Sequence, residues 1–263
     1  MLIKLSNRAL LKVTGPDATN FLNSQFSNDV KNLTSGVCQI NSYCQHQGKI
    51  ISIIWVMKKE DFYFISIPED VFDIVLSKLR MFKLMSNVDI KDFSSEVYQY
   101  GVIDENIEGS FILKNSLSVF ISSESIADVA DINNWENACI ENLIPEIYLI
   151  NSEKYTPQML NLDIDEFGVS FNKGCYPGQE VIARMHYLGK PKRRLYLFSS
   201  DEEAKVGDKL NVENSVSLKP SGEVIRISKQ NKKYLFLGIV EVKHIEEPIF
   251  LNNNNEPLNI INA

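Results

Sequence analysis

The sequence has no C-x-x-C pair and only three histidines in 263 residues. Its four cysteines, Cys38, Cys44, Cys139 and Cys175, are scattered, and Cys44-x-His46 supplies two donors where a zinc site wants four. An iron–sulfur cluster needs about four grouped thiolates, so the spacing argues against a metal centre of the chain's own. Reduced thiols in a reducing compartment are the plain reading. No apolar run approaches the roughly 18 residues of a membrane span. The longest, Ile50 to Met57, contains Ser52 and reads as a buried strand. The start, Met1-Leu2-Ile3-Lys4-Leu5-Ser6-Asn7-Arg8, lacks the apolar core of a secretion signal, which makes the cytoplasm the expected location. Positive charge is also scarce. Twenty-seven Lys and Arg stand against 34 Asp and Glu, a formal net charge of −7. The surface as a whole repels polyanions, and no direct nucleic-acid partner is expected.

What remains is ordinary globular composition, 44% hydrophobic and 23% charged, with core enough for one large or two modest domains. Ala9–Val13 reads as a strand, and Thr14-Gly15-Pro16-Asp17 opens a helix that buries Ala18, Phe21, Leu22 and Phe26. Strands are expected at Val37–Cys44, Lys49–Met57 and Asp61–Ile67. A second helix starts at Pro68-Glu69-Asp70, with Val71, Val75, Leu79 and Phe82 on one stripe, and Asn87–Phe93 is a further strand. The order β-α-β-β-β-α-β is close to a ferredoxin-like α+β unit with an extra strand. A second unit begins at Ser94, with strands Tyr98–Ile103, Phe111–Lys114 and Leu117–Ile121. Its helix, Asp131–Leu143, carries Trp135, Cys139 and Leu143 in register and stops at Pro145. Tyr155–Asp163 reads as an extended segment that crosses a surface or lines a cleft.

Past Gly189 no helix is indicated. Short strands at Arg194–Phe198, Lys209–Val212, Gly222–Ile227, Tyr234–Val242 and Pro248–Leu251 predict a small antiparallel barrel or sandwich. Gly207-Asp208, Gln230-Asn231-Lys232 and Asn252–Asn255 supply its turns. The fold class is therefore α+β. Residues 1–190 form a core of two units, about 1–94 and 95–190, and residues 191–263 form a C-terminal β-barrel domain.

The most informative stretch is Phe171-Asn172-Lys173-Gly174-Cys175-Tyr176-Pro177-Gly178-Gln179-Glu180-Val181-Ile182-Ala183-Arg184. A strand-like run, Gly168–Phe171, leads in. Gly174 and Gly178 permit unusual backbone shapes, and Pro177 suits the first turn of a helix. Val181, Met185 and Leu188 have the spacing of a buried stripe, Glu180 and Arg184 form an i, i+4 pair, and Gly189 followed by Pro191 ends the helix. Cys175 thus lies just ahead of a helix start and two residues from Lys173, and both favour thiolate over thiol. Two readings stand, a reactive thiol or a small apolar residue packed in a tight turn. The basic run Lys190, Lys192, Arg193, Arg194 either holds an anion or partner near Cys175 or forms a solvated turn.

K-G-C-Y-x-G-Q-E at 173–180, with Ala183-Arg184 and Tyr187-x-Gly189-Lys190-x-Lys192-Arg193, resembles the signature of the YgfZ-type folate-binding proteins. These are relatives of the aminomethyltransferase (T-protein) of the glycine cleavage system. Val13–Ala18, Phe21-Leu22, Asn28-Asp29, Trp135 to Pro145 and Pro157–Leu162 extend the likeness over about the first 195 residues. The resemblance implies a folate-binding core followed by a barrel, and tetrahydrofolate or a derivative as cofactor. It implies an accessory role in the assembly or repair of iron–sulfur clusters in client enzymes, tRNA-modifying ones included, with client or assembly proteins as partners. The site it implies has Cys175 as reactive thiol with Lys173 beside it. Trp135 offers an aromatic face to the pterin, and Lys49 in Gln47-Gly48-Lys49 meets a tail carboxylate. Gln179, Glu180, Arg184 and Tyr187 join them from the motif. Such a ligand wants an aromatic face in an apolar cleft for its ring and Lys or Arg for its tail.

Two positions depart from the resembled pattern. Arg8 stands in the first strand at a usually aromatic position. Ser52, between Ile51 and Ile53, stands where the aminomethyltransferases carry an aspartate. A hydroxyl cannot replace that carboxylate as an electrostatic or basic partner, which disfavours one-carbon transfer. The alternatives are a folate-dependent aminomethyl transferase and a thiol or redox protein that uses Cys175 without folate.

Overall fold

The computed structural model describes residues 1–212, 220–230 and 233–262. After a short first strand, β1 (Leu2–Lys4), the chain runs through β2 (Arg8–Thr14), α1 (Ala18–Gln25), β3 (Cys38–Cys44), β4 (Ile50–Lys58), β5 (Phe62–Pro68), α2 (Phe72–Phe82) and β6 (Asp89–Asp92). Strands β2 to β6 form one antiparallel sheet in the order β3-β4-β5-β2-β6. Alternation along β2 sends Ala9, Leu11 and Val13 under the two helices, where they meet Phe21, Leu22, Val75 and Leu79. Leu10 faces the other way, with Ile53 and Trp55 of β4. Because both faces are covered, β4 is apolar almost without interruption, as strands buried on two sides are. Glu69–Val71 forms a 3-10 turn ahead of α2, and Phe82, expected on its buried stripe, is the last residue of the helix and 42% exposed.

Strands β7 (Tyr98–Ile103), β8 (Phe111–Lys114) and β9 (Leu117–Ser122) form a second sheet, ordered β1-β7-β9-β8. Residues 95–190 therefore do not close on themselves. They take β1 from the N-terminus, with Leu2 opposite Val102. Helix α3 (Ile132–Glu141) is capped by Asp131, whose carboxylate accepts the Asn133 N–H at 2.7 Å. It ends before Leu143, which has a positive φ of 53° and is half-buried. Gly101 in β7 is required by this packing, since a Cβ there would lie 2.3 Å from the Trp135 ring. The segment expected to be extended instead makes a 3-10 turn at Pro157–Leu160, and Tyr155, Leu160 and Leu162 are buried. Its proline, Pro157, and its leucines are buried in the core.

After α4 (Gln179–Leu188) come β10 (Arg193–Ser200), β11 (Lys209–Val212), β12 (Gly222–Gln230), β13 (Lys233–Glu241), β14 (Ile249–Leu251) and β15 (Asn259–Asn262). They form a six-stranded antiparallel sheet, ordered β14-β11-β12-β13-β10-β15. It curls so that its two ends meet at one bridge, Phe250 with Pro257. The asparagine run turns at Asn252, with φ 52°. Strand β15 was not expected from the sequence, and a 3-10 turn occupies Val242–His244 where strand was expected to end. The expected turn Gln230-Asn231-Lys232 lies outside the described residues at 231 and 232.

The three sheets share one hydrophobic core, and two buried ion pairs sit within it. Arg8 of β2 pairs with Glu146, both side chains 3% exposed. The Arg8 guanidinium also donates to the Ser66 hydroxyl at 2.8 Å and the Ser66 carbonyl at 3.0 Å, and lies 3.6 Å over the Trp55 ring. Arg226 of β12 pairs with Glu136 of α3 at 2.7 Å and donates to the Ile144 carbonyl at 2.9 Å. Removing one partner of such a pair strands the other charge in a dry interior. Glu146→Ala is expected to cost about 3–5 kcal/mol in urea unfolding. Arg8→Met with Glu146→Leu, which removes both charges, is expected to cost clearly less.

Candidate functional site

The residues before α4 do not form the expected strand. Residues 168–178 run irregularly because their backbone is bonded sideways to the end of α1 rather than along a sheet edge. Ser170 N–H donates to the Ser27 carbonyl at 3.0 Å, and the Ser27 hydroxyl to the Gly168 carbonyl at 2.6 Å. Asn28 reaches the Phe167 carbonyl at 3.4 Å. Helix α4 starts at Gln179 with Gly178 as its N-cap, so Pro177 stands outside the helix and Cys175 lies four residues ahead of it. Gly178 has φ +84°, and a Cβ on it would lie 2.6 Å from the Gln45 carbonyl and 2.7 Å from Gly48. Gly48 itself has φ +74°. The Gln47-Gly48-Lys49 turn and the Cys175 motif therefore touch backbone to backbone, which only glycines allow.

Two side chains pin the loop. The Lys173 ammonium donates to the Asn23 and Phe26 carbonyls at the C-terminal end of α1, where the helix is partly negative. Burial pushes its pKa down to about 8. Tyr176 is buried, with the Lys173 ammonium 4.9 Å from its ring. Between these anchors Cys175 is exposed, whereas Cys38, Cys44 and Cys139 are buried. Burial raises all three of those thiols, Cys139 to about 12.

The other expected site residues are spread over separate surroundings. On α4 the buried side chain is Ile182, with Val181 and Met185 half-buried, and Leu188 is 84% exposed. The expected stripe assumed a helix lying along the core, but α4 leaves the core after its first turns. Gln179 is half-buried and its N–H donates to the Tyr176 carbonyl at 3.2 Å. Glu180 and Arg184 are exposed and 3.9 Å apart, and Tyr187 is 66% exposed. Trp135 is only 1% exposed, packed on Gly101 and edge-on to Trp55 at a centroid distance of 6.2 Å. It offers no open ring face, and its indole N–H has no partner. Ser52 is fully buried, its hydroxyl 3.3 Å from the Ile53 carbonyl.

Lys49 donates to the Lys154 carbonyl at 2.8 Å, and burial with the nearby Arg193 charge lowers its pKa. Beside it a cleft of about 260 Å³ is lined by Tyr155, Arg193, Lys209 and Glu223 among others. No spacing in the sequence marked Tyr155, Lys209 or Glu223, because they come from three distant segments. Of the basic run, Arg193 pairs with Glu241 at 3.3 Å and Arg194 with Asp163 at 3.0 Å, while Lys190 and Lys192 are exposed.

No family model matches the sequence. The chain is 29% identical over 234 residues to an uncharacterized protein of Haemophilus influenzae, covering 84% of this chain and 82% of that one. It is 26% identical to the tRNA-modifying protein YgfZ of Blochmanniella pennsylvanica, over 90% of this chain and 81% of the relative. For the protein of the same name from Colwellia psychrerythraea the figures are 27%, 77% and 72%. The glycine cleavage system aminomethyltransferase T of Bartonella henselae superposes with a TM-score of 0.74 at 12% identity, covering all of this chain and 84% of that one. The chain resembles the YgfZ proteins in sequence, and its fold is like that of the aminomethyltransferase. The YgfZ-type likeness runs through the barrel as well as the core, and no helix among the described residues is long and apolar enough to cross a membrane.

Two outcomes are expected. An aromatic disulfide reagent should titrate one thiol per native chain and four after unfolding, with Cys175→Ser losing the native reaction. The second concerns pH. Lys173 has a folded pKa of about 8 against an ordinary 10.5, so between these values the unfolded chain binds more protons than the folded one. Its contribution to stability is level below pH 8 and rises with pH from about 8 to 10.5. The stability difference between the wild type and Lys173→Met should therefore move in favour of the wild type across that window, as read by chemical unfolding.

Proposed function

We propose that this chain is an accessory protein that supports iron–sulfur-dependent, tRNA-modifying client enzymes through transient contact of the Cys175 thiol, with a tetrahydrofolate-type ligand as its effector. The observation that carries the reading is the exposed Cys175 held between the half-buried anchor Lys173 and the buried anchor Tyr176. A thiol fixed in this way can meet iron, sulfur or a partner thiol without a search through loop conformations. One thiol holds no cluster, so the cluster belongs to the client or assembly protein. The names of the YgfZ relatives support the tRNA-modifying half. Free, unpaired cysteines suit a reducing compartment such as the cytoplasm.

The folate half is supported by the fold and by Lys49. Trp135 does not fit the stacking role, because its ring is covered by Gly101 and Trp55, and the Arg8 guanidinium already lies on Trp55. That covering favours a second reading, in which Cys175 acts without folate. Aminomethyl transfer gains no support from Ser52, whose hydroxyl is buried against a carbonyl.

In cells lacking the native gene, Cys175→Ala is expected to accumulate as folded protein and to leave a cluster-dependent tRNA-modifying enzyme with a small fraction of its activity. Full activity with the variant removes the thiol from the mechanism. Titration with tetrahydrofolate is expected to raise the melting temperature of the purified chain. No shift, together with a required Cys175, selects the folate-free reading.

A further inference from the structure

Where the segment after α3 meets the curled sheet, four cations gather on the cleft beside Tyr155. Arg193 and Lys209 line it directly. Lys154 is brought in by Glu223, which it meets at 3.2 Å, and Lys49 lies close enough to Arg193 for the two charges to repel. Glu223 stands at the centre. Its side chain is 10% exposed and receives Lys154 on one oxygen and Lys209, at 2.5 Å, on the other. Burial, and next the nearby Glu223 charge, raise the pKa of the Tyr155 hydroxyl. The remaining carboxylate close by, Glu241, divides itself between Arg193 at 3.3 Å and Lys243 at 3.2 Å. Lys49 bonds a neutral carbonyl. Among the described residues, two cations lining the concavity and two beside it thus face one full carboxylate and one shared carboxylate, in a chain whose net charge is −7.

Like charges brought together in a partly dry cleft repel strongly and need counter-charge. Glu223 supplies part of it and shows the geometry a carboxylate adopts there. We propose that this cleft is a binding site for a small multivalent anion carrying two or more carboxylates or phosphates, seated among Lys49, Arg193 and Lys209 with Glu223 as the chain's own placeholder. The volume of about 260 Å³ suits an anionic head or tail and not a whole pterin conjugate. The site asks only for charge and size, so it does not rest on the folate reading. The anion is either free in solution or the tail of a larger ligand.

The test is calorimetric titration of the full chain at low salt, with inorganic pyrophosphate in one arm and γ-linked triglutamate in the other. Binding of at least one is expected, at one per chain and weakening with added salt. Lys49→Ala and Lys209→Ala should each weaken it about tenfold, the worth of one charge-assisted hydrogen bond. Glu223→Gln keeps the shape and removes the internal competitor, so it should tighten binding. Preference for pyrophosphate assigns a phosphate compound, and preference for triglutamate assigns a carboxylate tail. The proposal is overturned if the wild type binds neither, if Lys49→Ala leaves binding unchanged, or if Glu223→Gln weakens it, since the cations would then serve stability alone. Lys49 bonds a single carbonyl, so its variant stays folded and decides the matter should Lys209→Ala not fold. Pyrophosphate binding without any tetrahydrofolate shift leaves this inference standing and the folate reading fallen.

Discussion

The arrangement of the three sheets depends on charges buried where they meet. Arg8 comes from the first sheet, Glu136 and Glu146 from α3 and the segment after it, and Arg226 from the curled sheet. Ion pairs of this kind add little net stability, because desolvation consumes most of what attraction returns. Their effect is on register. An apolar interface tolerates sliding, but a guanidinium that must find its carboxylate, the Ser66 carbonyl and the Trp55 ring at once tolerates almost none. Each pair joins a different pair of units, so together they set how all three sit against one another.

That constraint accounts for the state of the expected ligand platform. The Arg8 guanidinium spends its planar face on Trp55 and its edge on Glu146. Trp135 is then wedged between Trp55 and the bare backbone of Gly101. Arg8, Trp55, Trp135 and Gly101 together make this region closed core. The chemistry left open lies on either side of it, at the Cys175 loop and at the cationic cleft, and the contact between Gly48 and Gly178 joins the two loops on which Lys49 and Cys175 stand.

The sequence disclosed what is local. The apolar run of β4, the alternation of β2 and the Asp131 cap of α3 are written in neighbouring residues, and most strands fall within one or two residues of their expected ends. The motif singled out Cys175 but left open whether its thiol was exposed or packed, and the coordinates show it exposed. Hidden from it were features made by distant partners. Arg8 and Glu146 are 138 residues apart, and Lys173 finds its carbonyls about as far away, 150 and 147 residues back. The buried stripe on α4 was misplaced because helical spacing says which residues share a face, not whether that face has anything to cover. Strand β15 escaped notice because two isoleucines between asparagines become a strand only when β10 offers an edge.

One feature of the second sheet bears on how the molecule is made. Strand β1 is synthesised well before its partner, since β7 begins almost a hundred residues later, and Met1 N bonds the Ile103 carbonyl across 102 positions. At a synthesis rate of about 10 residues per second, the opening segment waits roughly ten seconds as an unsatisfied edge while the first sheet condenses beside it. Its neighbours in that interval are Lys4 and Arg8, whose charges discourage pairing with stray strands. Strand β1 thus joins the core only when β7 arrives, although it is made long before that partner.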